Sequence, residues 1–150
     1  GLEKKSKEEI YFKGEKLSKK ERLKNSSLVM QDVNHQLFTD EVFKELSLSV
    51  KNFDEGKAKI ILKDLCLDEF IERHPMSLSG GQKQRLAIAS IMCKDSTFIY
   101  YDEPTSGMDY ANMIKISELI KKYRNKDKII FIVSHDIEFL NEVADEIFEL

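Results

Sequence analysis

Apolar and polar positions change their period repeatedly along the 150 residues. Ile10 to Phe12 is a short apolar run followed by Lys13-Gly14, which predicts a strand and a turn. Leu28 to Met30 starts a second strand. Val42 to Val50 and Ala58 to Leu65 carry apolar residues at helical spacing, and Asp54 is placed to cap the second. Pro75 then interrupts the chain. Gln82 to Cys93 reads as a helix apolar nearly all round, and therefore largely buried. Phe98 to Tyr101 is a strand, Asp109 to Tyr123 a helix, and Ile129 to Val133 a run of five apolar residues without alternation. Ile137 to Val143 is a helix, and Ile147-Phe148 is expected to begin a last strand. Strands alternating with helices imply βαβ crossovers and a parallel sheet, an α/β fold. Runs without alternation predict strands covered on both faces.

The two central strands end in polar clusters. Phe98-Ile99-Tyr100-Tyr101 runs into Asp102-Glu103, and Ile129–Val133 runs into Ser134-His135-Asp136. Ligands of parallel sheets sit beyond the carboxyl ends of the strands, so both clusters are expected on one rim. Asp102 could hold a hard cation such as Mg²⁺, which takes one or two carboxylates with phosphate oxygens and water. The adjacent Glu103 could orient or deprotonate a water, and His135 could touch a transferred phosphate. The plainer alternatives are that the acids cap the next helix and that His135 is structural.

Leu78-Ser79-Gly80-Gly81-Gln82 opens the buried helix. Ser79 and Gln82 have capping-box spacing. Gly80 and Gly81 leave first-turn amides bare, which suits an anion; a flexible turn is the plainer reading.

Composition narrows the classes. The 24 basic and 27 acidic residues leave a net charge of -3, which offers no general attraction to nucleic acid or to an anionic membrane. The basic residues of the first 24 positions are interleaved with acids, as on a solvated surface. No segment has the roughly 20 apolar residues of a membrane span, and polar Gly1 to Lys7 is no secretion signal. Cys66 and Cys93 stand far apart and predict reduced, buried thiols rather than a metal or redox pair.

Taken in order, these motifs resemble those of ABC ATPases. Leu78 to Gln82, with Lys83-Gln84-Arg85 behind it, is similar to the family signature. Phe98 to Glu103 resembles its Walker B strand, Ser106-Gly107-Met108-Asp109 its D-loop with Met108 where Leu is usual, His135 its switch histidine, and Gln31 its Q-loop glutamine. The resemblance implies a P-loop NTPase (RecA-like) core with an α-helical signature subdomain: roughly 1–30 as N-terminal strands and loop, 31–95 as Q-loop and helical part, 96–150 as the rest of the core. It implies ATP and Mg²⁺ as cofactors. Asp102 would hold Mg²⁺ through water, and Gln31 would sense metal and attacking water. Glu103 would be the general base, and His135 would contact the γ-phosphate. Ser79, Gly80, Gly81 and Gln82 would act in trans in a head-to-tail dimer, and Asp109 would couple the two sites. It further implies transmembrane transporter subunits as partners, docked near Gln31, no nucleic acid, and a peripheral place on the cytoplasmic side of the membrane. Gln31 to Phe38 looks like the post-Q-loop stretch of energy-coupling-factor ATPases, which drive uptake of vitamins or metal ions. The plainer reading is a loop packing Leu37 and Phe38 onto the core.

The loop Gly-x-x-x-x-Gly-Lys-Ser/Thr is nowhere in the chain; its only Gly-Lys, Gly56-Lys57, lacks the partner glycine. A piece of a longer subunit is therefore expected, or a split or degenerate homologue, inactive on its own and with sheet edges left bare. A soluble ABC ATPase acting on DNA or ribosomes, and a non-catalytic docking module, are the alternative readings.

Overall fold

The computed structural model describes residues 9–48 and 50–149. Chain order is β1 (Tyr11–Phe12), β2 (Glu15–Lys16), α1 (Lys19–Lys24), β3 (Ser26–Val29), α2 (Val42–Ser47), α3 (Glu55–Asp64), α4 (Gly80–Cys93), β4 (Phe98–Asp102), α5 (Tyr110–Tyr123), β5 (Ile129–Val133) and α6 (Ile137–Val143). Local chemistry starts and stops these elements. Lys13 and Gly14 turn the β1–β2 hairpin with φ of 50° and 83°. Asp54, Ser79, Asp109 and Asp136 each accept a first-turn amide as N-caps of α3, α4, α5 and α6.

The strands β3, β4 and β5 form a parallel sheet in that order, flanked by helices. Its register pairs Val29 with Tyr101 and Tyr101 with Ile132. That row faces the core, where Val29, Ile99 and Tyr101 join Leu86 and Ile88 of α4, Ile116 and Ile120 of α5, and Phe139 of α6. Burial drives the Tyr101 phenol well above its ordinary range, because the phenolate would lose its hydration.

The next row, Leu28, Tyr100 and Phe131, points the other way. Its members are 37%, 37% and 50% exposed, and the Tyr100 and Phe131 rings stack at 5.2 Å. Phe12 of the hairpin covers one end edge-on against Phe98. Beyond it, Ile10, Leu17, Leu23, Tyr100, Phe131 and Val133 line an open apolar hollow of about 680 Å³.

Four expectations are corrected here. The apolar run of β5 is not covered on both faces: Ile129, Phe131 and Val133 are exposed, since β5 is an edge strand and its outward row has no layer over it among the described residues. Ile147-Phe148 forms no strand; among the described residues no neighbouring strand supplies a ladder there, and both side chains are exposed. Cys66 is exposed rather than buried. It sits in the turn after α3 at φ 54°, which directs it outward between buried Leu65 and Leu67. The helix predicted over Val42 to Val50 closes at Ser47, with Leu48 already extended; Ser49 lies outside the described residues.

Candidate functional site

Parallel register sets the rim. Asp102 is the last residue of β4 and pairs with Val133, the last of β5. Gln31 follows β3 two residues after Val29, which pairs with Tyr101. Asp102, Glu103, Ser134, His135 and Gln31 thus all leave the sheet at the same end.

Glu103 has a left-handed backbone, φ 48°, uncommon for a residue with a Cβ and costing about 1–2 kcal/mol. Two backbone bonds hold it: its N–H donates to the Val133 carbonyl at 2.9 Å, and its carbonyl accepts from Ser106 N–H at 3.1 Å. The bend turns the carboxylate toward the end of β5. There Oε1 accepts the His135 N–H at 2.9 Å, and Oε2 accepts the Ser134 hydroxyl at 3.3 Å. The His135 Nε2 lies 3.7 Å from Oε1, with the imidazole fully exposed and the Glu103 side chain only 15% exposed. A sheltered carboxylate beside a free imidazole can organise a water and a phosphate together.

Asp102 presents an exposed carboxylate. Among the described residues no group of three or more His, Cys, Asp or Glu could hold a metal unaided. A lone carboxylate fits a Mg²⁺ that arrives with phosphate and keeps its waters. Asp102 and Gln31 are the residues that would hold it.

The glycine-rich helix start lies on α4. Ser79 Oγ accepts the Gln82 N–H at 3.4 Å, and Gln82 Oε1 accepts the Ser79 N–H at 2.8 Å, a complete capping box. A Cβ on Gly80 would meet nothing within 4 Å, and one on Gly81 only Arg85 Nη1 at 3.8 Å. Neither glycine is required by the packing of this chain, so the space over the first turn is open to something from outside. Among the described residues neither the helix start nor Asp109 shares a hydrogen bond with the Glu103 cluster; Asp109 is the N-cap of α5, accepting from Asn112 N–H at 2.8 Å.

Three positioning groups escaped the sequence reading. The Gln36 amide accepts from Met30 N–H at 2.8 Å and donates to the Leu28 carbonyl at 2.7 Å, closing the end of β3 just before Gln31. Buried Glu45 accepts from Phe38 N–H, Thr39 N–H and the Thr39 hydroxyl at 2.8–3.0 Å. That clamp leaves Leu37 buried but Phe38 74% exposed, so only one of the two expected core contacts forms. Ser134 is the third. The only advance signal was a run of polar residues directly after an apolar strand.

A parallel sheet carrying a rim of carboxylates and an imidazole, with a helical layer and a glycine-opened helix, agrees with part of a P-loop NTPase core. The profile of the ABC transporter family matches residues 1–106. The chain belongs to that family. It is 43% identical over 148 residues to a Treponema denticola protein named as an ABC transporter ATP-binding protein, covering 98% of this chain and 30% of that one. It is 37% identical over 135 residues to the energy-coupling factor transporter ATP-binding protein EcfA2 of Ureaplasma parvum, covering 85% of this chain and 31% of the relative. The dimeric, post-hydrolysis structure of the ATP-binding cassette MJ0796 with ADP and Pi superposes with a TM-score of 0.72 at 27% identity, over 90% of this chain and 66% of that one. The chain therefore spans about a third of the length of these two sequence relatives.

Proposed function

We propose that this chain is the part of a transporter's ATP-hydrolysing subunit that supplies the base, the phosphate sensor and the trans-acting signature. The observation that carries the reading is the Glu103–His135 pair at 3.7 Å on the rim where Asp102 also ends. Glu103 takes the proton of the attacking water, sheltered enough to stay aimed and with lone pairs to spare. His135 meets the γ-phosphate, and Gln31 faces the metal and the water. Bound Mg²⁺ would offset phosphate charge, held on this side by Asp102 through water. Ser79, Gly80, Gly81 and Gln82 close on a nucleotide held by a second ATPase domain, and Asp109 couples the two sites. The names and the dimer of the relatives support this arrangement.

The likeness to EcfA2 and the stretch from Gln31 to Phe38 support the finer reading: uptake of an energy-coupling-factor kind, with transmembrane subunits docking near Gln31 and the helices of 31–95, at the cytoplasmic face. No helix among the described residues is long and apolar enough to cross a membrane, consistent with anchoring through other chains.

The test is Glu103→Gln in the full-length protein. Hydrolysis should collapse while ATP-driven dimerisation survives; unchanged turnover overturns the reading. The 150-residue chain alone, lacking the phosphate loop whose amides and lysine grip the nucleotide, should bind ATP weakly and not hydrolyse it. Micromolar affinity by calorimetry would contradict this.

A further inference from the structure

We infer that Ser134 is a positioning residue for the base. This rests on the reading of Glu103 just given and deepens it. The Glu103 carboxylate has no donor of its own, so the 3.3 Å bond runs from the Ser134 hydroxyl to Oε2. The same hydroxyl oxygen accepts the Asp136 N–H at 3.1 Å. Asp136 is itself fixed, since its Oδ1 accepts the Phe139 N–H at 3.0 Å as the cap of α6, and Phe139 is fully buried. A helix anchored in the core by Phe139 and Val143 thus orients a hydroxyl, and the hydroxyl steers the carboxylate.

Two donors are needed for this control. His135 N–H holds Oε1, but one bond leaves the carboxyl plane free to rotate about it; Ser134 holds the other oxygen and sets the plane. The carboxylate accepts these two bonds and keeps lone pairs for a water. Both donors come from the turn that carries His135, so base and phosphate sensor are fixed by the same few atoms. Glu103 also enters this arrangement on a left-handed backbone.

The experiment uses the full-length protein with steady-state ATPase kinetics, ATP-driven dimerisation and thermal melting. Ser134→Ala should lower kcat about tenfold, the worth of one hydrogen bond to a charged group. The KM for ATP, dimerisation and melting temperature should stay close to the parent. Ser134→Thr keeps the hydroxyl and should recover most of the rate. A normal kcat in Ser134→Ala overturns the inference, as does a rate that Thr fails to restore, or a loss of rate that tracks a loss of melting temperature. Glu103→Gln, run alongside, separates the two levels. A normal Ser134→Ala beside an inactive Glu103→Gln removes only the role of Ser134, whereas an active Glu103→Gln removes the base itself.

Discussion

Gly80→Ala should separate folding from function at the head of α4. Gly80 is the first residue of that helix, its φ lies outside the left-handed range, and an added Cβ meets nothing within 4 Å. The folded state therefore accommodates the methyl without strain. The unfolded chain loses freedom, which stabilises the fold by about 0.4–1 kcal/mol. For a domain of this size each kcal/mol moves the melting temperature by about 2–4 °C, so a rise of about 1–4 °C is expected by circular dichroism. Gly107→Ala is the internal control: at φ 71° a side chain is strained, and melting should fall. The same Gly80→Ala change, made in the full-length protein, should cut ATP hydrolysis at least tenfold, because the methyl stands over amides that a nucleotide's phosphate must approach closely. A drop in melting temperature of several degrees would refute the local geometry. Stable protein with undiminished turnover would refute the claim that the open space serves a partner's nucleotide.

The remaining expectations are narrower. Glu103→Gln should abolish turnover and spare ATP-driven pairing, read by size exclusion with ATP. Ser134→Ala should slow kcat alone, with Thr as the rescue. The isolated chain should show only weak heat of ATP binding. Burial pushes the Cys93 thiol up to about 11, because the thiolate loses hydration; at pH 8 only about one molecule in a thousand is ionised there. Alkylation at pH 8 should label exposed Cys66 well before Cys93, and the Cys93 rate should climb about tenfold per pH unit toward pH 11. Equal rates at pH 8 would show that Cys93 is not shielded.

What the sequence made legible was local. Ser79 with Gln82 and Asp54 before α3 are groups whose partners lie within three residues, so spacing alone predicts the bond. The parallel sheet followed from the strand–helix alternation, and the shared rim from the acids and the imidazole at strand ends. What remained hidden depends on distant partners. The bend at Glu103 is held by Val133, and its carboxylate by Ser134 and His135, more than 30 positions away. Glu45 looks like any surface acid of an amphipathic helix until the loop at Phe38 and Thr39 folds back over it. Nor can Ile129–Val133 disclose its exposure, because an unbroken apolar run states that a strand can be covered twice, not that it is.

The row of Leu28, Tyr100 and Phe131 makes the energetics of this unit conditional. One side of the sheet is settled by the chain's own helices; on the other, past the Phe12–Phe98 contact, the exposed row contributes only in proportion to whatever occupies it. Any occupant that prefers the folded state shifts the equilibrium by mass action. Where the occupant is a second molecule, folding and association become one linked process, and the melting temperature then depends on the concentration at which it is taken.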